Sequence, residues 1–152
     1  MRQILFAGLP GSGKTSLISN ILGILPDPED PVMTHWQEHG MVQSYNYRID
    51  ACRPSNTRII ETHIVPRIYD QYSGAIYVID LSDESDNTVN TNVENIKQLR
   101  LQLRDSLIFG NKIDLCMDLV SKYQLELDFN IYLISAIVPF DSAQHQMFAE
   151  FI

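Results

Sequence analysis

Apolar residues fall along the chain in short blocks separated by polar and turn-forming stretches, and the spacing inside each block picks out its element. Ile4-Leu5-Phe6-Ala7 is a continuous apolar run, which predicts a buried strand over residues 2–8. Thr15 to Leu25 has helical spacing, so a helix is expected over 14–25, and Pro26, Pro28 and Pro31 then mark a loop. Met41 to Ile49 and Thr57 to Thr62 read as strands around the turn-rich stretch Ala51 to Asn56, an expected antiparallel hairpin. Further strands at 75–80, 106–110 and 130–134 alternate with helices near 87–103, 115–125 and 141–152. In the helix near 87–103, Val89, Val93, Ile96 and Leu99 recur at spacings of four, three and three, a core-facing stripe. The last helix can start at Asp141 and bury Met147, Phe148 and Phe151. This alternation predicts an α/β fold of three layers: a mostly parallel six-stranded sheet with one antiparallel hairpin, and helices on both faces. A ligand is expected at the C-terminal ends of the strands.

Composition narrows the class without changing that picture. A chain of 152 residues suits one domain over 1–152 with one core, and it holds no repeat or low-complexity tract. The net charge of −8 leaves no basic stripe to neutralise phosphates, which argues against nucleic acid as a partner. Cys52 and Cys116 are too few and too far apart for a disulfide framework, so free thiols in a reducing cytoplasm are expected. No apolar run approaches the ~20 residues that cross a bilayer. Without a leader, a glycine at position two or a C-terminal cysteine, no direct membrane anchor is expected.

The chemistry concentrates in three segments. Residues 8 to 15, Gly-Leu-Pro-Gly-Ser-Gly-Lys-Thr, fit the phosphate-loop pattern G-x-x-x-x-G-K-[ST] at every fixed position. Gly8, Gly11 and Gly13 let the backbone curl and aim N–H groups at an anion. Lys14 brings positive charge to the outer phosphates, and the Thr15 hydroxyl can ligate a bridging Mg²⁺. The loop falls between a strand and a helix, so the helix N-terminus points at the phosphates. Gly8, Pro10, Gly11, Ser12, Gly13, Lys14, Thr15 and Ser16 are the candidate phosphate contacts. Pro10 removes one donor from the loop but stiffens its turn.

The second segment, Leu107 to Asp114, runs from an apolar strand into Asn111-Lys112-x-Asp114. An aspartate at Asp114 can accept from the N1–H and amine of guanine, which adenine lacks; Asn111 can read the opposite edge and tie down the loop. The stem of Lys112 can lie along the purine face. Polar groups placed for one base are left unpaired with the other. The third segment is another apolar strand, Asn130 to Ile134, followed by Ser135-Ala136.

With these three segments in order, the sequence resembles the Ras-like small GTPase superfamily of P-loop NTPases. Gly74 to Asp80 looks like that family's central strand. The resemblance implies that Ser135-Ala136 closes over guanine, and that the ligands are GTP or GDP with Mg²⁺. It implies a molecular switch or a nucleotide-stabilised scaffold, with Thr34 as a metal-binding threonine of the first switch segment. The match is poor between residues 30 and 72. Where the family has Asp-x-x-Gly-Gln, this chain has Glu61-Thr62-His63-Ile64-Val65. Glu61 stands where the metal-holding Asp would be, but Ile64 and Val65 replace the glycine and the water-orienting glutamine. Gln71 and His63 are the nearby substitutes. Intrinsic hydrolysis is therefore expected to be slow, absent or dependent on a partner.

Three other readings bear on the same residues. His35-Trp36-Gln37-Glu38-His39 matches the zinc signature H-x-x-E-H, which requires a helix. Its position between a Pro-rich loop and Gly40 favours a protein-contacting loop around His35-Trp36, with residues 63–72 as a second contact. A small ATP-using kinase would share the phosphate loop but leaves Asn111-Lys112-x-Asp114 unexplained. A pseudo-GTPase interaction module without turnover would fit the degraded Glu61 to Val65 stretch.

Overall fold

The computed structural model describes residues 2–22, 36–42, 45–51, 57–63, 65, 69–113, 119–126, 130–138 and 140–151. Thr34, His35, Ile64, Asp114, both cysteines and the Pro-rich loop lie outside the described residues. In chain order the elements are β1 (Arg2–Ala7), α1 (Lys14–Leu22), β2 (Trp36–Val42), β3 (Tyr45–Ala51), β4 (Thr57–Thr62) and β5 (Gly74–Asp80). They continue with α2 (Asp86–Gln102), β6 (Ser106–Asn111), α3 (Leu119–Glu126), β7 (Tyr132–Leu133) and α4 (Ser142–Phe151).

The strands form one seven-stranded sheet in the order β2-β3-β4-β1-β5-β6-β7. β4, β1, β5, β6 and β7 run parallel. β3 is antiparallel to both β2 and β4. Two expectations are corrected here. The run from Met41 to Ile49 is divided between β2 and β3, so the sheet has seven strands instead of six. The antiparallel part is a three-stranded β2-β3-β4 arrangement and not a single hairpin. The apolar spacing does not register that division, because two adjacent strands continue the same alternation.

The parallel strands are apolar on both faces because both are covered. Along β1, Leu5 and Ala7 face one layer, while Ile4 and Phe6 face the other. In β5 the same alternation puts Ala75, Tyr77 and Ile79 on the first side and Ile76 and Val78 on the second. α2 (Val89, Val93, Ile96, Leu99) and α3 (Leu119, Val120, Tyr123) pack on the first face. α1 (Leu17, Ile18) and α4 (Phe148) pack on the second. The expected stripe on α2 is therefore its buried face. A fully buried aliphatic side chain of this kind contributes about 1.5–3 kcal/mol.

Helix ends follow their caps. Ser85 caps α2, accepting from the Thr88 N–H. Asp141 precedes α4: its carboxylate accepts from the Gln144 N–H at 2.8 Å, and the Gln144 side chain accepts from the Asp141 N–H at 3.0 Å. That reciprocal pair is a capping box, and it fixes where the last helix begins. One buried polar cluster crosses the first layer. The Tyr77 hydroxyl donates to Asn92 at 2.8 Å, and the Asn92 amide donates to the Tyr123 hydroxyl at 2.9 Å. Burial pushes both tyrosine hydroxyls above their ordinary pKa.

Candidate functional site

β1 ends at Ala7 and α1 begins at Lys14, so the intervening loop lies at the C-terminal edge of the sheet. Leu9-Pro10-Gly11-Ser12 is a tight turn in which the Ser12 N–H donates to the Leu9 carbonyl at 3.3 Å. Gly11 has φ 78°, the left-handed value that a type II turn requires at its third residue, and proline suits the second. Pro10 thus stiffens the turn and stays exposed. Gly13 has φ 92°, and a Cβ there would collide with the Asn111 side-chain amide. Beyond it, the first N–H groups of α1 have no partner within the helix and mark an anion site.

Lys14 closes this loop from inside. Only 3% of the residue is exposed, and its ammonium donates to the Gly8 carbonyl at 3.1 Å, the Leu9 carbonyl at 2.8 Å and the Ser12 hydroxyl at 3.3 Å. Burial lowers its pKa from 10.5 to about 8, with Glu61 opposing that shift. An ammonium held among neutral acceptors gains most from an incoming anion.

Glu61 reaches the loop because β4 pairs in parallel with β1, setting it opposite Phe6. The Thr15 hydroxyl donates to Glu61 Oε1 at 2.7 Å. Glu61 is buried, and its Oε2 atom has no hydrogen-bond partner. An orphaned carboxylate oxygen beside a threonine hydroxyl fits a hard cation such as Mg²⁺. Among the described residues no group of three or more His, Cys, Asp or Glu side chains could hold a metal.

The two candidate substitutes for the glutamine separate. His63 follows β4 at the loop end of the sheet and is exposed. Gln71 is at the other end. The neighbouring Ser73 N–H donates to the Gln3 carbonyl at 2.7 Å, at the start of β1. From there the strand runs on the order of 13 Å before reaching the loop. The Gln71 side chain instead donates to the Tyr72 hydroxyl at 3.0 Å. The structure therefore does not bring Gln71 to the phosphate loop, because β5 enters the sheet parallel to β1. Val65 is 5% exposed and packed in the core, so its position offers nothing to a water.

On the other side of the loop, β6 ends at Asn111, which is 2% exposed and joins two segments. Its amide donates to the Ser12 carbonyl at 2.8 Å, and its carbonyl oxygen accepts from the Ala136 N–H at 2.8 Å. Asn111 thus ties the phosphate loop to the Ser135-Ala136 segment. Lys112 follows with φ 63°, and its ammonium forms an ion pair with Asp80. Burial alone would push the Asp80 carboxyl up, but Lys112 and Ser82 outweigh it and hold the carboxyl below its usual range.

Two site residues escaped the sequence reading, Asp80 and Asn20. Asp80 ends the central strand where such an ion pair could have been anticipated. Asn20 sits in α1, and its side-chain amide donates to the Val138 carbonyl at 2.7 Å. A polar residue with a short side chain inside an apolar helix was the one available signal. Residues 36–39 lie in β2, so the helical turn that a zinc signature needs is not formed there, and Trp36 opens a strand instead of lying in a loop.

No family model and no curated protein matches this chain. Solved structures do. The G domain of the T. maritima FeoB iron transporter aligns over 99% of this chain and 98% of its own, with 14% identity and a TM-score of 0.60. A mutation variant of SsGBP aligns over 98% of this chain, with 20% identity and a TM-score of 0.57. This chain spans 54% of that protein. At such identities the likeness is one of fold, and that fold is the α/β fold of a G domain.

Proposed function

We propose that this chain is a divergent Ras-like small GTPase that binds GTP or GDP with Mg²⁺. It acts as a switch or a nucleotide-stabilised scaffold, with slow or partner-dependent hydrolysis. The observation that carries this reading is the Asn111 bridge. One buried side chain joins the phosphate loop at Ser12 to the segment at Ala136, so a nucleotide would meet phosphate donors and base-reading groups held in fixed relation. In this reading Gly8 to Ser16 cradle the phosphates, and Asn111, Lys112, Asp114, Ser135 and Ala136 hold the base. Thr15, Thr34 and Glu61 would hold Mg²⁺, which would neutralise charge on the outer phosphates. A protein partner would meet the stretch around His35-Trp36 and residues 63–72.

Turnover is where the reading divides. The buried Val65 favours a pseudo-GTPase that keeps its nucleotide without hydrolysing it. His63, exposed at the loop end of the sheet, is the remaining candidate for positioning water. The test is to denature freshly purified protein, identify the released nucleotide by chromatography, and follow GTP and ATP turnover with Mg²⁺. Co-purified GDP with slow turnover supports the GTPase, and intact GTP supports the pseudo-GTPase. ATP or ADP in the pocket overturns the guanine assignment. In a competition titration with GDP and the corresponding xanthine nucleotide, Asp114→Asn is expected to lower the preference for guanine by one to two orders of magnitude, roughly the value of one hydrogen bond to a charged group.

Binding should also take up a proton. Lys14 in the free protein titrates at about 8, and a bound polyanion raises that pKa by favouring the ammonium. Affinity is therefore full below about pH 8 and falls as pH rises above it, up to roughly tenfold per unit. Calorimetry in buffers of different ionisation enthalpy is expected to show net proton uptake near pH 8 in wild type, and none from this source in Lys14→Met.

A further inference from the structure

The Ser135-Ala136 segment is held in an unusual way. Ala136 is buried in the second core layer, but Ile137 and Val138 are 79% and 54% exposed, so hydrophobic packing does little for the loop just beyond it. Phe140 beyond it is buried and stacks on Phe148 of α4 with ring centroids 5.1 Å apart. Between the strand end and that anchor, side chains from elsewhere in the fold grip the backbone. Asn111 accepts from the Ala136 N–H. Asn20 of α1 takes the other side: its amide donates to the Ala136 carbonyl at 3.3 Å and the Val138 carbonyl at 2.7 Å, and its oxygen accepts from the Phe140 N–H at 3.4 Å. The peptide groups on both sides of Ala136 are thereby fixed, one from β6 and one from the helix that begins at the phosphate loop.

We propose that Asn20 is a positioning residue that holds the segment from Ser135 to Val138 closed over the base and so sets how slowly the nucleotide leaves. This rests on the guanine-nucleotide reading above. Asn20 uses both amide hydrogens on one loop, and it lies six residues beyond Lys14, on the helix whose first turn faces the phosphates. A shift of α1 at its phosphate end would thus reach the base loop through Asn20, beside the link that Asn111 makes from β6. The partly exposed position of Asn20, away from the core stripe of Leu17 and Ile18, allows it to be changed without opening the core.

The experiment compares wild type, Asn20→Ala and the isosteric Asn20→Asp, which keeps the volume but loses both donors. Dissociation of a fluorescent GDP is followed by stopped flow, affinity for inorganic pyrophosphate by calorimetry, and amide exchange by mass spectrometry. Both variants are expected to release GDP on the order of tenfold to a hundredfold faster, the effect of losing two hydrogen bonds in the aspartate variant and three in the alanine variant. Pyrophosphate affinity should stay within about twofold, since that probe touches only the phosphate loop. Exchange should rise in peptides covering 135–140 and not in those covering β1 and β5. Equal GDP release from all three proteins overturns the inference and leaves the nucleotide reading intact. A parallel loss of GDP and pyrophosphate affinity also overturns it, by showing that Asn20 supports α1 and not the loop. A wild type that holds pyrophosphate but no guanine nucleotide overturns the reading and the inference together.

Discussion

Lys14→Ala is expected to weaken guanine-nucleotide binding by roughly two to three orders of magnitude while leaving the melting temperature nearly unchanged. The two halves of this result have separate causes. In the free protein the ammonium is buried among two carbonyls and a hydroxyl, and its depressed pKa shows that the site does not favour the charge. Removing it relieves a desolvation cost, while the loop loses its hydrogen bonds and Glu61 its neighbouring cation, effects of opposite sign that offset one another. With the polyanion present the balance changes, because truncating one partner of a desolvated charge pair costs about 2–5 kcal/mol. A fluorescence titration read beside a thermal melt separates binding from folding. GDP binding at wild-type strength would remove Lys14, and with it the phosphate loop, from the site.

Asn111→Ala is expected to differ, lowering stability and binding together. The side chain is 2% exposed and makes one bond to each of two backbone groups, at Ser12 and Ala136. Alanine leaves a buried acceptor and a buried donor unmet, each at a cost of about 1–3 kcal/mol. For a chain of this length the sum corresponds to a fall in melting temperature of roughly 4–24 °C. The phosphate loop and the base segment would no longer be held in register, so affinity should fall further than the melt alone predicts. Affinity at two temperatures well below the new transition isolates that second loss. A variant that melts with wild type would show that the bridge contributes nothing to folding.

The phosphate loop and the strand–loop segments were legible because each consists of neighbours in sequence. Gly8 to Thr15 carries its own turn chemistry, and the runs at β1, β5 and β6 declare burial on both faces by their continuous apolarity. The missed features depend on what lies opposite. Nothing in Met41 to Ile49 shows where one strand turns back into the next, since Met41 and Asn46 become partners only across β2 and β3. Gln71 was plausible by its distance along the chain. Its exclusion comes from the direction of β5, which carries the chain toward the loop only after residue 74. Asn20 and Asp80 acquire their roles from partners 116 and 32 residues away, separations that no local pattern encodes.

Those separations also bear on how the protein is made. Ser12 meets Asn111 across 99 residues, and Asn20 meets Val138 across 118. These contacts join the ends of β1, β6 and the segment after β7, so the site is complete only once those strands are aligned in the sheet. A nucleotide spanning both segments binds only the finished product. At a concentration a hundred times its dissociation constant it would add about 2.7 kcal/mol to the folded state. The yield and lifetime of the newly synthesised chain would then follow the supply of its ligand, and a shortage of nucleotide would be felt first as a loss of protein.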